Sequence, residues 1–185
     1  IDGESFALNE RFMVIATQNP IEQQGTFPLP EAQLDRFLFK LRIGYPTRVE
    51  ERRMAEVHGR AVPQLDDFDL QPLVGGEFLR AARACVREVR VEPEVLDYLV
   101  DIVRATREHP SLIHGASPRA ASMLAAAARA LAASQGMDFV IPDHVQQLAG
   151  PLLAHRVVLT PAAEIEGADA STVVGEIVEG IRAPR

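Results

Sequence analysis

Apolar residues are distributed in two regimes along the chain. Before Pro46 they come in short blocks. Phe12-Met13-Val14-Ile15-Ala16 is continuous and bounded by polar residues, the pattern of a strand buried on both faces of a parallel sheet. Thr17-Gln18-Asn19-Pro20 follows it, and Gly25, Pro28 and Pro30 mark a loop. Pro30 suits the first position of a short helix over 31–37, because its missing N–H would be unpaired there in any case. Phe37 to Ile43 alternates and predicts a second strand.

After Pro46 the spacing becomes helical. Thr47 and Glu50 form a capping-box pattern for a helix to about His58. Residues 59–76, with Pro63, Pro72, Gly75 and Gly76, predict a long connection. Phe78, Ala82, Cys85/Val86 and Val89 mark one helical face, and Val95, Leu99, Ile102 and Thr106 another. Ser117-Pro118 predicts a helix start, with Ser as the cap and Pro first in the helix. That helix runs to about Ser134. Pro142 opens the next, to about Arg156, and a last helix carries Val173/Val174, Ile177/Val178 and Ile181. The outline is strand, helix, strand, then helices, with a boundary near Tyr45-Pro46. Two strands do not make a stable sheet alone, so both are expected to need neighbours from outside the chain as given.

The chain has 185 residues, 47% of them hydrophobic, enough for a folded core. Nineteen basic residues stand against 26 acidic ones, a net charge of −7, which argues against broad nucleic-acid binding. Lys40 is the only lysine. Cys85 is the only cysteine, so no internal disulfide forms and a reducing cytosol fits. No apolar run approaches a bilayer span. Cys85 is expected in the core. His58, His109, His114, His144 and His155 lack zinc-site spacing and read as structural or surface residues. Arg80, Arg83, Arg87 and Arg90 interleave with Glu77, Glu88 and Glu92 and read as a solvated, ion-paired face.

Three residues carry candidate chemistry. Asn19 follows the first strand, where open parallel sheets bind ligands, and its amide both donates and accepts; a turn-forming Asn before Pro is the other reading. Arg36, in Leu34-Asp35-Arg36-Phe37, is tied down by apolar neighbours, and its planar fork suits a phosphoryl group; a surface pair with an Asp is the other reading. Arg119 is the second residue of the Ser117-capped helix, where anions bind and an unpaired cation opposes the helix dipole.

The stretch Ala16-Thr17-Gln18-Asn19-Pro20-Ile21-Glu22-Gln23-Gln24-Gly25-Thr26-Phe27-Pro28-Leu29-Pro30-Glu31-Ala32-Gln33-Leu34-Asp35-Arg36-Phe37 resembles the MoxR family of AAA+ ATPases. So does Gly115-Ala116-Ser117-Pro118-Arg119-Ala120, and Ala105-Thr106-Arg107 and the helix from Pro142 resemble the family's lid. The resemblance implies a mainly α fold. Residues 1–45 would be the C-terminal remnant of an α/β P-loop core, with sensor 1 strand, finger helix and last strand. Residues 46–185 would be an all-α helical lid. It implies that Asn19 is sensor 1, that Arg36 is an arginine finger acting in trans, and that Arg119 is sensor 2 at the γ-phosphate. It also implies ATP and Mg2+, a homo-oligomeric ring in the cytoplasm, protein clients, and partners with von Willebrand factor A domains. Remodelling or maturation of other proteins, including metal or cofactor insertion, would be the task.

No G-x-x-x-x-G-K-[ST] phosphate loop occurs in the sequence given, nor an acidic Walker B strand end before residue 12. The expectation is therefore a piece of a longer ATPase that does not hydrolyse ATP by itself. Two other readings stand beside it: a non-enzymatic helical interaction module, and a magnesium-chelatase- or MCM-like AAA+ motor.

Overall fold

A computed structural model of the chain describes residues 3–9, 12–18, 29–57, 68, 70 and 75–184. They fall into two compact units, 1–30 and 31–185. In the first unit, residues 12–18 form no strand and are exposed, Met13 by 73% and Ile15 by 78%. The expected strand over 12–16 is not formed, because a strand exists only with a ladder partner and none pairs with it among the described residues.

The second unit is helical. It runs α1 (Glu31–Leu34), α2 (Arg48–Val57), α3 (Gly76–Glu88), α4 (Pro93–Ala105), β1 (Leu112–His114), α5 (Pro118–Ser134), α6 (Pro142–Leu153), β2 (Val158–Leu159), α7 (Pro161–Ile165) and α8 (Ala170–Gly180). The second expected strand, 37–43, is also absent. Its alternation survives only in part: Phe39 packs against the core, but Leu41 and Ile43 are 74% and 96% exposed. The one regular sheet among the described residues is the short antiparallel pair of β1 and β2, Leu112 opposite Leu159.

The core lies where α4, α5, α6 and α8 meet. On α5, Ala120, Leu124, Ala128 and Ala132 recur every four residues and are fully buried. The three alanines of this row let neighbouring helices approach closely. On α4 the expected face is the buried one: Val95, Leu99, Ile102 and Thr106 all lie inside.

Helix α3 corrects the reading of Cys85, which is exposed. The half-buried stripe is Leu79, Ala82 and Val86, one position away from Phe78 and Cys85; the apolar pattern was wide enough to fit either. The Thr47 capping box is present: the Thr47 amide donates to Glu50 Oε2 at 2.7 Å, and the Glu50 amide donates to Thr47 Oγ1 at 3.4 Å. Helix α6 stops at Leu153 rather than near Arg156, and the three residues after it turn back toward α1. Its start is held by His144, 2% exposed. There Nδ1 accepts from the Ile141 amide at 3.2 Å, so Nε2 carries the proton and donates to Gln135 Oε1 at 3.0 Å. The expected 59–76 connection falls largely outside the described residues, and His58 lies outside them.

Candidate functional site

The chain tightens as it leaves α1. The amides of Asp35, Arg36 and Phe37 donate to the carbonyls of Glu31, Gln33 and Leu34 at 2.9, 3.1 and 3.0 Å. This turn presents the Arg36 side chain to solvent, and among the described residues the guanidinium has no hydrogen-bond or ion-pair partner. Its neighbours behave differently. Asp35 points inward, with a side chain 24% exposed.

What holds this turn is Arg156, just beyond α6, with a side chain 1% exposed. Its Nε donates to Asp35 Oδ1 at 3.0 Å. Nη2 donates to the carbonyls of Asp35, at 3.2 Å, and Phe37, and lies 2.9 Å from Met123 Sδ. Nη1 donates to the carbonyls of Leu38, at 3.2 Å, and Leu152. Burial pushes the Arg156 pKa down, and the Asp35 carboxylate opposes that shift. An arginine remains charged throughout the ordinary pH range. The last carbonyls of a helix lack intrahelical partners; here the Leu152 carbonyl takes Arg156, and that of Pro151 takes the Lys40 amide at 2.9 Å. The end of α6 and the turn after α1 thus satisfy one another.

His155 lies in the same place. Its Nε2 is 3.0 Å from the Phe37 carbonyl and 2.9 Å from Arg156 Nη1. The carbonyl only accepts and the guanidinium only donates, so the role of Nε2 follows the tautomer, and Nδ1 is buried without a partner. Burial first, and the Arg156 charge after it, lower the His155 pKa against the opposing bond to Phe37. The shift favours the neutral ring.

Arg119 enters from the start of α5. Its Nη1 is 3.6 Å from Asp35 Oδ2, and its side chain is 52% exposed. Ser117 occupies the N-cap position, but its hydroxyl makes no cap bond. It donates instead to Asp35, at 3.2 Å to Oδ2, which corrects the expectation of a capping serine. The anion at the start of α5 is therefore Asp35 itself, and it offsets the unfavourable placement of Arg119.

The turn before α5 is fixed by close approach. A Cβ on Gly115 would stand 2.5 Å from the backbone of Thr106 and Arg107. Thr106 is fully buried; its hydroxyl donates to the Val103 carbonyl at 2.6 Å and accepts from the Ala116 amide at 2.9 Å. Arg107 Nε donates to the Ala116 carbonyl at 2.9 Å.

Of the three sequence candidates, the structure brings Arg119 to Asp35, the residue beside Arg36. Asn19 lies outside the described residues. Arg156, the Asp35 carboxylate and Thr106 were missed. In the sequence Arg156 reads as the end of a helix, where a basic residue ordinarily complements the dipole, so nothing local sets it apart. Among the described residues no group of three His, Cys, Asp or Glu side chains gathers for a metal ion, and no helix is long and apolar enough to cross a membrane.

Comparison with known proteins places these elements. Residues 1–39 match the ATPase family associated with various cellular activities (AAA), and residues 104–177 match the AAA lid domain. The uncharacterised protein YeaC of Bacillus subtilis is 43% identical over all of this chain and 57% of its own length. Chaperone MoxR1 of Mycobacterium tuberculosis is 39% identical over all of this chain and 50% of its own. The crystal structure of an ATPase candidate from Cytophaga hutchinsonii superposes with a TM-score of 0.85 at 30% identity, over 99% of this chain and 58% of that one. The chain spans about half the length of the curated relatives it matches. The Gln-Asn-Pro-to-Arg36 stretch and the Arg119 turn fall within the matched AAA and lid segments, and the chain belongs to the MoxR family of AAA+ ATPases.

Proposed function

We propose that this chain supplies the finger and lid of a ring-forming ATPase. Arg36 reaches the γ-phosphate of ATP held by a neighbouring subunit, Arg119 senses a γ-phosphate from the lid, and Asn19 orients the attacking water. Residues 1–45 then belong with the ATPase core and 46–185 with the lid. The observation that carries the reading is the contrast at 35–37: Arg36 is exposed and unpaired among the described residues, while the peptide on either side is pinned by a buried arginine. A long charged side chain on a fixed base suits a task completed by another molecule, because little freedom is lost when it binds.

The chemistry is phosphoryl transfer to water, in which catalysis is mainly positioning and charge stabilisation. Arg119, half-exposed beside the first turn of α5, fits a phosphate oxygen. In this reading Mg2+ accompanies the nucleotide. The work done with the energy of hydrolysis is remodelling or maturation of client proteins in the cytoplasm, with von Willebrand factor A domain partners and metal or cofactor insertion among the tasks. The chaperone name of the Mycobacterium relative supports that reading.

The test uses the intact gene product. Arg36→Ala should leave ATP affinity unchanged and lower turnover by about 10³–10⁵-fold, the range for arginine fingers. A variant that turns over ATP at the wild-type rate would remove Arg36 from the mechanism.

A further inference from the structure

We propose that Arg156 is a positioning residue for Arg36: its guanidinium locks the peptide on both sides of Arg36 to the ends of α5 and α6, so that the finger moves with the lid helices. The inference rests on the finger reading of Arg36 and adds to it the device that aims the finger.

Three observations carry it. First, the contacts bracket Arg36. The Asp35 and Phe37 carbonyls both accept from Nη2, Asp35 Oδ1 accepts from Nε, and the Leu38 carbonyl accepts from Nη1. Second, the same guanidinium reaches the Leu152 carbonyl at the end of α6, while Ser117 and Arg119 at the start of α5 reach the Asp35 carboxylate. The base of the finger is thus referenced to two core helices. Third, a cation with 1% exposure is a costly way to fill space. An apolar residue of similar volume often serves a core as well or better. Only a planar fork addresses four backbone carbonyls and a carboxylate together, and lysine lacks that geometry.

The two arginines on Asp35 differ in kind. Arg156 is sealed in, whereas Arg119 is half exposed and held by one contact at 3.6 Å. Arg119 is free to exchange Asp35 for a phosphate; Arg156 stays. A displacement of α5 or α6 that follows a change at Arg119 then reaches Arg36 through Asp35 and Arg156.

The experiment uses the intact gene product carrying Arg156→Lys. Hydrogen exchange is followed in the peptide covering 35–40, with α4 and α5 as internal controls. Kinetics are measured with Mg-ATP for wild type, R156K, R36A and the double variant. Exchange at 35–40 should quicken while α4 and α5 stay protected. The kcat should fall about 10- to 100-fold, as expected for a displaced catalytic group, at unchanged KM. The double variant should be no slower than R36A alone, because Arg156 acts only through Arg36. Unaltered exchange at 35–40, full turnover in R156K when R36A is inactive, or the same proportional loss in the R36A background would each overturn the inference. If R36A itself keeps wild-type turnover, the finger reading is what has failed. Should R156K not accumulate as folded protein, Asp35→Asn takes its place. It removes the charge opposite Nε, keeps the backbone acceptors, and should lower kcat in the same direction.

Discussion

Gly115 and Thr106 show how little room the lid leaves at its tightest turn. A methyl group on Gly115 would meet backbone, not a side chain that could move aside. Gly115→Ala should therefore cost about 1–3 kcal/mol, the range for overpacked sites, measured by urea unfolding. Thr106→Val keeps the shape but removes the hydroxyl that serves the Ala116 amide and the Val103 carbonyl. Leaving that buried amide unpaired should cost about 1–3 kcal/mol, and a midpoint equal to wild type would show that another acceptor replaces it. His155 makes a prediction about acid. Its pKa is lowered by burial, so the unfolded chain binds the proton more readily than the folded one. Stability should be unaffected above the ordinary histidine value of about 6.5 and decline as pH falls below it, levelling only beneath the folded value. His155→Gln should flatten that part of the curve relative to wild type. An identical slope in the variant would assign the acid sensitivity elsewhere.

At the scale of elements, α5 carries the core, and its extent was readable because Pro118 at the helix start acts locally. Leu124→Ala, at the centre of the buried row, should cost about 2–5 kcal/mol, with a smaller loss meaning that α4 and α6 close over the gap. The face of α4 was readable because helical spacing is local too. The Arg156 clamp was not, since its partners at Asp35, Phe37 and Leu38 lie more than a hundred positions away in sequence and no spacing rule links them. Ser117 was misread because a serine before a helix caps by default, and the competing Asp35 carboxylate arrives from a distant segment. The runs at 12–16 and 37–43 showed apolar strand character, but a sequence does not show whether the pairing edge is supplied. The side chains of 12–16 stand exposed, as do Leu38, Leu41 and Ile43 in the second run. The exposure of Cys85 turned on a one-position choice between two adjacent stripes of α3.

For the molecule as a whole, the turn at 35–37 falls within the helical unit 31–185, and its tightest ties run to α5 and α6. On the proposed finger reading, Arg36 would report on the lid of its own subunit while serving the nucleotide of the next, and hydrolysis would be a property of the assembly, not of the chain. The most direct test is the ATP turnover per chain of the intact protein, measured over a range of its own concentrations at saturating Mg-ATP, with molecular mass followed in parallel. Turnover per chain should fall toward zero as the assembly dissociates and reach a plateau once it is complete. Monomers that hydrolyse ATP at the plateau rate would contradict a finger acting between subunits.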